Sequence, residues 1–278
     1  MKENKMIRHR LGLLLAAGCL ALASTVAPTV GCSDSGSSPE GPDASMADSE
    51  VDMDAAPDDG ATPDAAVDGG IEPDAGPPLP GWGDISGSCE VLDDQEWSSS
   101  APFIFRNAID FGATGFDEGA LTPGGNEIWV DGNLGGSSIH SEIIAYELLH
   151  RCELASLLKT EGEIVYQDPD GKKTDILVEI DSRKIGVSVT RAFHYPPEDP
   201  YTVQEATNLL TDKLGDVLLS AQNADPADEW QRSVLHVVAY DPTYADAIET
   251  AFSSLDATVT ADTIVFVTVT NGEDAFAY

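Results

Sequence analysis

Residues 33–80 carry 13 acidic side chains, no lysine, no arginine and no aromatic residue. Asp, Ala, Pro and Gly dominate the run, which opens SDSGSSPEGP and closes PDAGPPLP. Such a stretch has too little apolar surface to offset the entropy of ordering it. Its like charges and prolines keep it extended. A fold with a core must therefore be built from residues 81–278, which are enough for one domain. Residues 32–80 are expected to form a disordered acidic tether. A Ca²⁺-binding repeat would need a regular loop pattern, which the irregular acid spacing lacks.

Ahead of the tether, MKENKMIRHR holds four of the 14 basic residues, and residues 11–30 carry no charge. A basic start, an apolar middle and small residues after it read as a secretory signal. Thr29-Val30-Gly31-Cys32 resembles a bacterial lipobox. That resemblance implies a signal peptide over 1–31, lipidation of Cys32, and the membrane as a partner through the lipid anchor. Two or more acyl chains would hold the protein firmly. The tether is similar to those of lipoproteins from myxobacteria and relatives. The expected place is the cell envelope, lipid-anchored at the outer membrane or cell surface. Cleavage after Ala21-Leu22-Ala23 would instead give a secreted or periplasmic protein. An apolar run of about 20 residues also permits a retained anchor.

Residues 81–278 keep 35 of the 49 acids and 10 of the 14 bases, a net charge of -25. Nucleic-acid binders need a basic footprint, so nucleic acid is not an expected partner. A basic protein or a cation is. With Cys19 in the signal and Cys32 in the lipobox, Cys89 and Cys152 remain. Export to an oxidising compartment makes a disulfide between them one reading, and two buried thiols the other. No CxxC or Cys/His cluster suggests zinc.

Residues 81–137 read as an irregular extension, with FIFRNAIDF and NEIWVDGN as short strands. The Gly-rich run before Ser138 lacks the Lys-Ser/Thr of a Walker loop, and reads as a flexible lead-in with a serine cap. Residues 138–159 read as a helix, on the stripe Ile139, Ile143, Tyr146, Leu149, Leu154, Leu157 and Leu158. Residues 161–166 read as a strand and 168–171 as a turn. TDILVEI and KIGVSVT then flank Asp181-Ser182-Arg183 as a hairpin. Val203, Ala206, Leu210, Leu214, Val217, Leu218 and Ala221 mark a second amphipathic helix. Residues 233–240 and 263–270 read as buried strands, with a short helix over 244–255 between them. The fold class is α/β, in the order α-β-β-β-α-β-α-β over 138–278. An antiparallel meander is followed by parallel crossovers, giving a mixed sheet with helices on both faces.

That order, with Thr174-Asp175 opening the second strand and Lys184-Ile-Gly-Val-Ser-Val-Thr-Arg191 forming the third, resembles the core of the PD-(D/E)XK superfamily of restriction-endonuclease-like proteins. The resemblance covers about residues 138–270. It implies an acid from the first helix, Glu142 or Glu147, joined with Asp175. Asp175 and Glu142 would be the metal ligands, and Mg²⁺ the cofactor if the domain is catalytic. The family's Glu-x-Lys falls on Ser188-Val189-Thr190, where neither charge is present. Lys159, Lys184 or Arg191 would have to supply the base, and Arg191 has the wrong parity for the Ser188/Thr190 face.

The leading reading is a non-catalytic endonuclease-like domain, without a cofactor, serving binding or interaction. The alternative is a divergent metal-dependent nuclease or phosphodiesterase using Asp175 and a helix glutamate. A purely structural envelope lipoprotein is the third. Plainer roles stand beside these. Asp175 can cap the hairpin or pair with Lys172 or Arg191, and His236 reads as a hydrogen-bonded core histidine. His140 and His150 are out of phase on a helix. No Gly-x-Ser-x-Gly elbow supports a Ser188/His194/Asp175 nucleophile.

Overall fold

The computed structural model describes residues 78–113, 115–134, 138–197 and 199–277. The signal, Cys32 and the tether through residue 77 lie outside the described residues. Among these residues no helix is long and apolar enough to cross a membrane.

Seven strands form one mixed sheet. In chain order they are β1 (Asp84–Gly87), β2 (Phe103–Asp110), β3 (Ser156–Thr160), β4 (Ile176–Ile180), β5 (Arg183–Ala192), β6 (Arg232–Ala239) and β7 (Thr263–Val269). Across the sheet the order is β1-β2-β7-β6-β5-β4-β3. The first turn-linked set, β3, β4 and β5, is antiparallel. β5, β6, β7 and β2 run parallel, and β1 closes the far edge against β2. The helices are α1 (Asp94–Ser98), α2 (Pro123–Asp131), α3 (Ile139–Glu153), α4 (Val203–Asn223), α5 (Pro242–Ser254) and α6 (Ala257–Thr260).

Strand alternation sends side chains to two cores. On one face Ile143, Leu148 and Leu149 of α3 meet Val187, Val234, Val238, Ile264 and Phe266. On the other, Leu210, Leu214 and Val217 of α4 and Ile248 of α5 meet Leu235, Val237, Val265 and Val267. β6 and β7 are buried along their whole lengths, which explains their near-continuous apolar runs. Cys89 and Cys152 are bridged, with Cα atoms 4.6 Å apart. The bridge ties the connector after β1 to the last turn of α3.

Three segments depart from the sequence reading. Residues 126–131, read as strand, belong to α2. Thr122 caps that helix by accepting from the Gly125 amide at 3.2 Å, and Pro123 opens it, a strong start signal. Gly124 and Gly125 let α2 lie against α3, since a Cβ there would sit 2.1 Å from Tyr146 Oη or Glu147 Oε1. The helix expected to run to Lys159 stops at Glu153. Leu154 turns left-handed (φ 55°), and residues 156–160 become edge strand β3. The run Leu154-Ala-Ser-Leu-Leu158 satisfies helical and strand periods alike, so periodicity could not place that boundary. Residues 161–166, read as strand, form a turn in which Glu163 accepts from the Thr160 amide at 3.1 Å. Tyr166 makes only an isolated bridge to Ala224. The segment read as an irregular extension supplies β1 and β2 to the main sheet.

The β4–β5 hairpin closes on a two-residue turn, with Ile180 opposite Arg183. Asp181 and Ser182 both sit in the left-handed region, at φ 50° and 63°. That is the twist a two-residue hairpin favours, and asparagine or glycine suits it better than serine. Ser182→Gly should therefore raise the unfolding free energy by about 0.5–1 kcal/mol, read as a higher urea midpoint at unchanged slope.

Candidate functional site

Three carboxylates approach one another where α3, the turn after β3 and the start of β4 meet. Glu142 sits in the first turn of α3 and is 1% exposed. Its Oε1 accepts from Asn133 Nδ2 at 2.7 Å and Ser138 Oγ at 3.0 Å. Burial still pushes its pKa above the usual carboxylate range, against those two bonds and with help from Glu161. Glu161 Oε2 accepts from the Leu134 amide at 2.7 Å. Asp175 is half-buried just ahead of β4, its amide donating to Val187 O at 3.1 Å. Its Oδ2 accepts from the Val189 amide at 2.6 Å. Burial first, then the charge of Glu142, pushes the Asp175 pKa up to about 7. The Val189 bond opposes that rise, Glu161 adds to it, and the Lys213 ammonium draws it back.

Neutral groups fill in the frame. Tyr166 Oη accepts from the Thr174 amide at 2.9 Å and donates to Thr174 O at 3.2 Å. Burial pushes its phenol up to about 12, with Asp175 and Glu161 adding to the rise. Thr174 Oγ1 and Ser188 Oγ share a 3.0 Å bond.

Of the residues singled out from sequence, Glu142 and Asp175 are brought together and Glu147 is not. Glu142 and Glu147 lie five positions apart, about 140° round a helix, so one helix face cannot present both. Glu147 accepts from the Thr122 amide and hydroxyl at 2.7 and 2.9 Å and pairs with Arg151 at 2.9 Å. Ser188 is engaged by Thr174, and Thr190 is half-buried on the α4 side of β5. Arg191 donates to the Ala277 carbonyl. Lys159 pairs with Asp228 at 2.7 Å, and Lys184 donates to Ala227 O at 2.9 Å. His194 Nδ1 meets Glu205 at 2.7 Å, so no Ser188/His194/Asp175 array is assembled. His236, fully buried, bonds Thr268 Oγ1 at 2.7 Å through Nε2, and burial pushes its pKa down to about 3. It is a neutral core histidine.

The cation that acts on Asp175 is Lys213 of α4, which the sequence reading passed over. A signal was present. Lys213 stands three residues after Leu210 and four before Val217, beside the apolar stripe that Leu214 continues. Asn133 and Tyr166 escaped notice because they act through neutral bonds that no charge or spacing pattern marks.

Glu142 and Asp175 have the oxygen chemistry that hard divalent cations take. Their mutual repulsion is the condition a cation relieves. Among the described residues, carboxylates gather within 4.8 Å of one another only at Glu127, Asp131 and Glu163, all exposed. The Glu142/Asp175/Glu161 set does not gather that closely.

No family model matches the chain. The AAC-rich mRNA clone AAC4 protein of Dictyostelium discoideum is 35% identical over 163 residues, which is 56% of this chain. The chain covers 24% of that relative's length. Among solved structures, Pyrococcus furiosus SfsA in complex with Ca²⁺ aligns at 15% identity with a TM-score of 0.23. The alignment covers 49% of this chain and 58% of SfsA.

The Asp175 shift has a defined sign. An unfolded aspartate releases its proton near the ordinary 3.8, whereas the folded one holds it to about 7. Between those values the folded state binds more protons, so stability falls as pH rises. The urea midpoint should drop from pH 5 to pH 8 by the equivalent of about 1–2 kcal/mol, discounted for partial exposure. Asp175→Asn should flatten that decline.

Proposed function

We propose that the domain is a divalent-cation-dependent phosphodiester hydrolase on an endonuclease-like core, held outside the cell by a lipid anchor and an acidic tether. The observation that carries the reading is the pair of acids at the α3–β4 junction, Glu142 buried and held by Asn133 and Ser138, and Asp175 held by the Val189 amide. The chain order from α3 onward supports the endonuclease-like core. It runs helix, three antiparallel strands, then helices alternating with parallel strands.

Glu142 and Asp175 would hold the cation, which when bound polarises a phosphoryl oxygen and activates water. The residues of the chain do the rest. The Val189 amide fixes one Asp175 oxygen. Asn133 and Ser138 orient Glu142 through Oε1. Lys213 supplies the positive charge that Ser188 and Thr190 cannot, approaching from α4 instead of β5. Its ammonium suits stabilisation of charge building on a leaving or non-bridging oxygen.

A net charge of -25 over residues 81–278 favours small diesters over polymeric nucleic acid, because polyanions are repelled along their whole footprint. A second reading keeps the cation and drops the chemistry. It is favoured by Ser188 and Thr190, uncharged hydroxyls at the positions where the resembled family carries acid and base, with Ser188 already bonded to Thr174. The domain would then bind a partner through the cation.

The test is turnover of a chromogenic phosphodiester, DNA and RNA by the full chain with Mg²⁺ or Mn²⁺. Asp175→Asn should lower diester turnover at least 100-fold, and Lys213→Ala about 10–100-fold, the range of one electrostatic stabiliser. Metal-independent background of equal size in all three proteins would remove hydrolysis and leave the binding reading. Anchoring is tested separately. Cys32→Ala should move the protein from the membrane to the soluble fraction and abolish labelling by a fatty-acid probe. Unchanged partitioning would sink the lipid anchor.

A further inference from the structure

The chain does not stop at the sheet. After β7, residues 270–277 turn back across the ends of the parallel strands. Thr270 and Gly272 donate to Ala239 O and Tyr240 O at the end of β6, at 3.1 and 2.7 Å. Glu273 Oε2 accepts from the Phe111 amide at 2.8 Å, just beyond β2. The segment ends in a helical turn, Ala275–Ala277, against α3. There the Phe276 ring lies 5.3 Å from Phe111, 5.3 Å from Phe116 and 5.4 Å from His140. Ala277 is 1% exposed, and its carbonyl accepts from Arg191.

The two final attachments fall on the elements that carry the candidate site. His140 is two residues before Glu142 in the first turn of α3. Arg191 is two residues after Val189 in β5, on the same face, and Val189 is the amide that holds Asp175. A strap bonded to β5 and packed by an aromatic ring on α3 links the start of α3 to the end of β5.

We infer that the strap formed by residues 270–277 is a positioning element for the cation site, with Phe276 holding the first turn of α3 and Arg191 holding the end of β5. This rests on the cation reading of Glu142 and Asp175. Arg191 acts here through the backbone it anchors, and touches neither carboxylate in the bonds described.

The experiment uses the full chain and two readouts. Mn²⁺ affinity is measured for wild type, Arg191→Ala, Phe276→Ala and the conservative Phe276→Leu, and amide hydrogen exchange is followed over residues 186–191 and 181–185. Phe276→Ala and Arg191→Ala should weaken Mn²⁺ binding about tenfold and speed exchange at 186–191. Exchange at the hairpin tip, 181–185, should not change. Phe276→Leu should restore both readouts. A lowered melting temperature with unchanged Mn²⁺ affinity and unchanged exchange at 186–191 would overturn the inference, leaving the strap as ordinary packing. If wild type binds Mn²⁺ no better than Asp175→Asn, the cation reading fails instead. Exchange at 186–191 then decides alone whether the strap sets the α3–β5 geometry.

Discussion

Four charged side chains are buried on α3, and the partner of each decides what its part of the helix does. Burying a charge costs far more than burying a methyl group unless the charge is paired or richly hydrogen-bonded. Glu147 and Arg151 pair with each other at 2.9 Å. Arg151 also donates to the carbonyls of Pro80 and Ala120. Glu153 accepts from the Val91 and Leu92 amides at 3.2 Å. Those three bind the incoming chain, α2 and the connector after β1 to one helix, beside the Cys89–Cys152 bridge. Glu142, at the other end, accepts from the neutral donors Asn133 and Ser138 among the described residues. The pairing that closes one end of α3 is thus of a different kind from that at the other.

The sheet explains why that end is the useful one. Asp175 lies just ahead of β4, the middle strand of the antiparallel meander. It makes two bonds to β5, its amide donating to Val187 O and its carboxylate accepting from the Val189 amide. Its carboxylate is therefore positioned by β5 but points away from regular pairing. α4 covers the opposite face and brings Lys213 in from the side. Site groups thus come from α3, the β3 turn, the start of β4, β5 and α4, which no local sequence window contains.

Much of the fold was legible because its signals were redundant. The hairpin had alternation and a polar break, α4 had an apolar stripe and a Thr202/Glu205 capping box, and β6 and β7 were apolar on both faces. Where signals competed, reading failed. Leu154 to Leu158 satisfied two periods, and only the left-handed Leu154 separates α3 from β3. NEIWVD looked extended until Thr122 and Pro123 upstream are taken as a helix start. At the candidate site, the acids were legible and the nearby cation was not. A lysine on the third strand was sought because strand alternation puts it beside the acid. The lysine that acts on Asp175 instead sits beside the apolar stripe of α4.

The same acidity then limits what the site can meet. Duplex DNA presents about one negative charge per 1.7 Å of axis, and a docked polymer would oppose the domain's net charge over its whole length. A small diester brings a single charge, which one divalent cation and Lys213 can outweigh. Acidic surfaces also raise the local concentration of cations. On the proposed reading, the surplus that keeps polyanions away would also favour a cation beside Glu142 and Asp175.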